Sequence, residues 1–88
     1  MTWHAELSDT AERQLTRLPR DVQRRVARAI DALEANPFQG NVLPLHGSRW
    51  HGWYRKRVGR YRIIFVPHHD THVVDIFAIL LRDEHIYR

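Results

Sequence analysis

Residues 53–66 read WYRKRVGRYRIIFV and bring five cations, Arg55, Lys56, Arg57, Arg60 and Arg62, into one segment with strand-like composition. Like charges on neighbouring strand positions repel, so such a cluster is either diluted by solvent or matched by an anion. Side chains alternate along a strand, which puts Trp53, Arg55 and Arg57 on one face and Tyr54, Lys56 and Val58 on the other. Gly59-Arg60 is a two-residue hairpin signal; a turn there sets Val58 opposite Tyr61 and Arg57 opposite Arg62. Arg55, Arg57 and Arg62 then share a face. Several arginines around one phosphate can stabilise the negative charge that builds up during in-line attack, and they need no metal to do so. Lys56 falls on the face assigned to the core, which calls for snorkelling at an edge or a bulge.

Composition supports an anionic partner. The chain has 88 residues, a formal charge of +4 and a pI near 10.3, which favours nucleic acid, an acidic protein segment or a lipid headgroup surface. Thirteen of its fourteen Lys and Arg residues are Arg, whose planar fork suits bidentate phosphate contacts. A chain this short makes one domain, residues 1–88, burying roughly 60 to 65% of its unfolded surface, with no room for a cofactor domain. With no cysteine there is no disulfide scaffold and no cysteine zinc site. No apolar run approaches the roughly 18 residues of a membrane span, and the N-terminus lacks the pattern of a signal peptide, so a soluble cytoplasmic protein is expected.

The elements that must carry the arginines follow from periodicity. TWHAEL alternates Trp3, Ala5 and Leu7 against His4 and Glu6, a short strand. Ser8 or Asp9 can cap a helix with Ala11, Leu15 and Leu18 on one face. Pro19 suits the first turn of a second helix, in which Val22, Val26, Ala29, Ile30 and Leu33 keep helical spacing until Asn36-Pro37 stops it. Residues 37–52, with three Gly and two Pro, read as a long loop with Val42, Leu43 and Leu45 tucked inward. Strands are expected over 53–58, 61–66 and 72–81. The resulting fold is α+β: a small antiparallel sheet, made of one N-terminal strand plus a three-stranded C-terminal meander, covered by an N-terminal helical hairpin.

YRKRVGRYRIIF followed by VVDIFAILLRDEHIYR resembles the RelE/ParE superfamily of type II toxin–antitoxin toxins, and specifically its RelE branch. The resemblance spans nearly the whole chain, from the first strand through the Asn-Pro stop and the LHG turn to the terminal Ile-Tyr-Arg. It implies an mRNA endonuclease acting in the ribosomal A site, where the 2′-hydroxyl of the mRNA attacks the adjacent phosphate. It also implies a small antitoxin partner, with mRNA and the ribosome (16S rRNA at the A site) as further partners, and no cofactor or metal. Carried over, Arg55 and Arg57 are the basic strand positions near the scissile phosphate. Arg62 and Arg82 are the phosphate-binding and charge-stabilising arginines, and Tyr87 is the C-terminal tyrosine of the site. Branch members often carry lysines on the first of these strands. Arg gives up a proton far less readily, which moves the base role toward Tyr87 or His85. The ParE branch, which inhibits DNA gyrase without nuclease chemistry, is the alternative, and an inactive module that only binds its antitoxin is a third reading.

Other signals read as structural. His68, His69, Asp70 and His72 have metal-ligand types but fall in a hairpin turn with no second cluster. His46, His51 and Trp50 either cover the core or stack on a base, and the core is favoured. Arg20, Arg24, Arg25 and Arg28 form the solvated face of the second helix. Trp3 and Trp53 read as core or sheet-edge aromatics.

Overall fold

Of the two cap candidates, Ser8 begins the first helix and Asp9 is its first residue: the Ser8 Oγ accepts from the Ala11 N–H at 3.0 Å and donates to the Phe77 carbonyl at 2.7 Å. In this computed structural model, which describes residues 2–81, β1 (His4–Leu7) leads through that cap into α1 (Asp9–Thr16). The Gln23 side-chain amide donates to the carbonyls of Leu15 and Thr16, closing the end of α1 against α2 (Arg20–Ala35). Pro19 stands at the N-cap of α2, one position before its first turn, and its carbonyl accepts from Gln23 N. At the far end Asn36 adopts extended backbone, and its side chain accepts from Phe38 N.

The remaining strands are β2 (Val42–Pro44), β3 (Tyr54–Val58), β4 (Tyr61–His68) and β5 (Val73–Leu81), with one turn of 3₁₀ helix at Ser48–Trp50. They form one sheet in the order β1-β5-β4-β3-β2. The α+β class and the meander β3-β4-β5 are as expected, and two details differ. β1 pairs with β5 in parallel, so the sheet is mixed; alternation in TWHAEL specifies which face each side chain takes, not the partner strand or its direction. The loop over 37–52 also contributes β2 at the sheet edge. Leu45 N donates to the Trp53 carbonyl just before β3 and the Asn41 carbonyl accepts from Arg57 N, so the nitrogen of Pro44 points outward, where a missing N–H costs nothing.

Two apolar clusters fix the sheet from its two sides. Ala11, Val26 and Leu33 of the helices pack on Ile63, Phe65, Val74, Ile76 and Ile79. On the opposite face Leu45, Ile64, Ala78 and Leu80 form a smaller cluster with Trp50 and Trp53. A register shift between Ile64 and Phe65 pairs Ile64 with Ala78 and Phe65 with Ile76, leaving Phe77 as an extra residue on β5. That bulge lets Ile76 and Ile79 both reach the helix side, while Phe77 meets Trp53 on the other. Leu43 is not tucked inward: it is 53% exposed on the edge strand, with Val42 half-buried and Leu45 buried.

Both flanks of β5 and β1 are closed by helix side chains. β1 ends at Leu7, so beyond Ile76 the outer edge of β5 needs partners. Ser8 takes the Phe77 carbonyl, and Gln14 Oε1 accepts from Ile79 N at 2.6 Å. The outer edge of β1 is met by Glu34, whose carboxylate accepts from Ala5 N at 2.8 Å and whose carbonyl accepts from Trp3 N at 3.1 Å.

Candidate nucleic-acid interface

The Gly59-Arg60 turn sets the geometry of the arginines. Gly59 has φ of +56°, and the Arg25 guanidinium of α2 packs against it where a β-carbon would stand. The hairpin then pairs Val58 with Tyr61 and Arg57 with Arg62, in the register expected from sequence. Arg55 pairs with Ile64, so Arg55, Arg57 and Arg62 do share the face turned away from the helices. Lys56 pairs with Ile63 on the helix side, in regular register. It needs no bulge, because its amine runs to the sheet edge beside Gly40, 3.2 Å from where a β-carbon there would lie.

This open face consists of cross-strand rows. The first is Leu80, Arg62 and Arg57; the next is Ala78, Ile64, Arg55 and Leu43; the third is Glu6, Asp75 and Val66, which the β3 register extends to Trp53. Successive rows are two strand residues apart, about 7 Å. The cations therefore lie on an apolar floor at one end of the face, and the floor anchors their stems. Arg57 is exposed, whereas Arg55 and Arg62 are half-buried.

The segment between β2 and β3 folds back over this end. Arg55 and Arg62 line a hollow of about 470 Å³ together with Leu45, His46, Arg49 and Trp50. The Arg49 guanidinium lies 5.5 Å from the centre of the Trp50 ring, a cation–π contact that holds it at the rim. Arg55 also borders, with Arg57, a smaller recess beside Gly40–Leu43. Among the described residues the ion pairs within 4.0 Å are His4–Glu6, His4–Glu34 and His68–Asp75, so Arg49, Arg55 and Arg57 have no carboxylate partner there.

Arg49 was not singled out from sequence. A usable signal existed: residues 35–69 contain no Asp or Glu, so Arg49 has no acidic residue near it in sequence. What sequence could not show is that the loop would carry Arg49 onto the same face. His46 and His51 are exposed instead of covering the core, whereas Trp50 packs on the smaller cluster beside Trp53. Arg82, His85 and Tyr87 lie outside the described residues.

The histidines of the 68–72 turn each have a separate partner. His68 Nε2 is 2.7 Å from Asp75 Oδ2, His69 stacks on Phe38, and His72, with φ of +56°, stacks on Trp3. His69 also meets Trp3 edge to face at 5.8 Å, and among the described residues no three His, Asp or Glu side chains converge for a cation. Arg20, Arg24, Arg25 and Arg28 are exposed on α2. No helix among the described residues is long and apolar enough to cross a membrane.

The model of the family described as "ParE toxin of type II toxin-antitoxin system, parDE" matches residues 5–86. No curated protein matches the chain. Among solved structures, the archaeal RelE–RelB complex from Pyrococcus horikoshii OT3 is similar with a TM-score of 0.80 and 28% identity, covering 96% of this chain and 99% of that one. The RelBE2 toxin–antitoxin complex from Mycobacterium tuberculosis has a TM-score of 0.81 at 24% identity, covering 93% and 100%. The isolated RelE toxin from E. coli has a TM-score of 0.77 at 13% identity, covering 96% and 88%, a likeness of fold.

Proposed function

The chain belongs to the ParE toxin family of type II toxin–antitoxin systems, within the RelE/ParE superfamily, and we propose that it is a ribosome-dependent mRNA endonuclease whose open sheet face holds the scissile phosphate. The observation that carries this reading is the arginine cluster: Arg57 directly opposite Arg62, Arg55 one row away and Arg49 at the rim. For a stable fold alone, this repulsion is a cost. Around a phosphate it is favourable, and each contact also releases counterions.

In the reaction, the 2′-oxygen of the mRNA bonds to the adjacent phosphorus as the bond to the 5′-oxygen of the next nucleotide breaks. The product is a 2′,3′-cyclic phosphate, and the leaving oxygen takes up a proton. Arg55, Arg57 and Arg62 stabilise the extra negative charge on the phosphoryl oxygens, and Arg82 joins them as the second charge-stabilising arginine. Arginines neither remove nor supply the proton. Tyr87 or His85 fills that role, and the ribosome supplies the alignment of the 2′-oxygen with the phosphorus. A small antitoxin covers the toxin in the cell, in keeping with the likeness to a RelE–RelB complex. Coexpression with it should restore growth, and the two proteins should copurify; a toxin harmless alone that recovers no such partner would contradict this.

A second reading is favoured by the family match itself, whose description is of a ParE toxin: a protein-binding inhibitor of DNA gyrase with no nuclease chemistry. Two assays on the same purified toxin separate them. The nuclease reading expects arrest of cell-free translation with gyrase supercoiling untouched, and the reverse pattern replaces it with the gyrase reading.

A further inference from the structure

We propose that the hollow beside Trp53 and Phe77 receives a nucleobase of the strand whose phosphates the arginines hold, and that Asp75 selects a base bearing an amino group. The proposal rests on the RNA reading above and adds a specificity determinant to it. The hollow, about 520 Å³, is on the open face. Trp53 and Phe77 form its aromatic wall, edge to face at 5.2 Å, and the bulge leaves Phe77 40% exposed. Its floor row of Glu6, Asp75, Val66 and Trp53 lies one row from Arg55 and two from Arg57 and Arg62, about 7 and 13 Å. That is the distance from a held phosphate to its own or the neighbouring base.

Charge fixes which part of the nucleotide enters. Glu6 and Asp75 border the hollow and repel phosphate, so the backbone stays on the arginines and the base turns toward the aromatic wall. Asp75 Oδ2 is held by His68 Nε2 at 2.7 Å, while Oδ1 bonds no other described residue. A carboxylate oxygen accepts only. It pairs with the amino group of cytosine and is repelled by the carbonyl that uracil carries at the same ring position.

Oligocytidylate and oligouridylate of equal length, end-labelled and titrated by fluorescence anisotropy, test this without cleavage. Wild-type protein is expected to bind the cytidine oligomer roughly tenfold more tightly. Asp75→Asn, whose amide both donates and accepts, should erase that preference. Phe77→Ala should weaken both oligomers roughly tenfold through lost stacking. Arg57→Gln should weaken both without changing their ratio. Binding that depends on Arg57 but is blind to the base, or unaffected by Phe77→Ala, overturns the base subsite and leaves the nuclease reading standing. Binding of neither oligomer also removes the subsite, and the nuclease reading is then decided by cleavage on the ribosome.

Discussion

Arg57 and Arg62 face each other across a two-residue hairpin, and no described carboxylate pairs with Arg57. Like charges in directly opposed positions destabilise a strand pair by about 0.2–1 kcal/mol. Replacing Arg57 with Gln keeps a polar stem of similar length and removes the repulsion. Denaturant titration should show stability equal to or a few tenths of a kcal/mol above wild type, while mRNA cleavage falls by about two to three decades. Opposite signs for stability and activity would mark Arg57 as kept for the phosphate. A variant less stable and fully active would show the reverse. Arg49 is held over Trp50 at the rim of the same hollow, so Arg49→Ala should also lower cleavage, by about tenfold as an outer contact.

Elements decide where these side chains meet, and some of that was legible in the residues. Gly59-Arg60 specified the hairpin and, with it, the register of Arg57 and Arg62, because a two-residue turn leaves no freedom to slip. The cap at Ser8 or Asp9, which the structure places at Ser8, the helical spacing from Val22 to Leu33 and the Asn36-Pro37 stop were also legible. The bulge at Phe77 did not, since VVDIFAILL is almost continuously apolar and an inserted residue leaves no break in its period. Nor did the parallel pairing of β1, or β2, whose three residues are too few to alternate. The β1 edge is protected by one side chain, Glu34, which accepts from Ala5 N while half-buried. Glu34→Ala leaves that N–H without its partner, and a loss of about 1–3 kcal/mol is expected in chemical denaturation. An unchanged midpoint would mean that water replaces Glu34 without cost.

At the scale of the whole molecule, the sheet divides the chemistry. Its helix side carries the main core, and its open side runs from the arginine rows at the β3–β4 turn to Glu6, Asp75 and His68 at the other end. On the proposed function, a strand of RNA laid on that face would be gripped at one end only, so few phosphates would be neutralised. With three or four contacts, log K against log salt should fall with a slope of about −2 to −3 for single-stranded RNA. A slope near zero would mean that the arginines do not hold phosphates. The central claim, that these arginines serve cleavage of mRNA on the ribosome, is tested most directly by mapping transcript ends in a cell-free translation reaction supplied with wild-type protein or with Arg57→Gln. New 5′ ends at codons in the ribosomal A site with wild-type protein, abolished when ribosomes are withheld and reduced about a hundredfold or more by the substitution, are the predicted result. Intact transcripts with wild-type protein, or cuts at the same rate with Arg57→Gln, would contradict it.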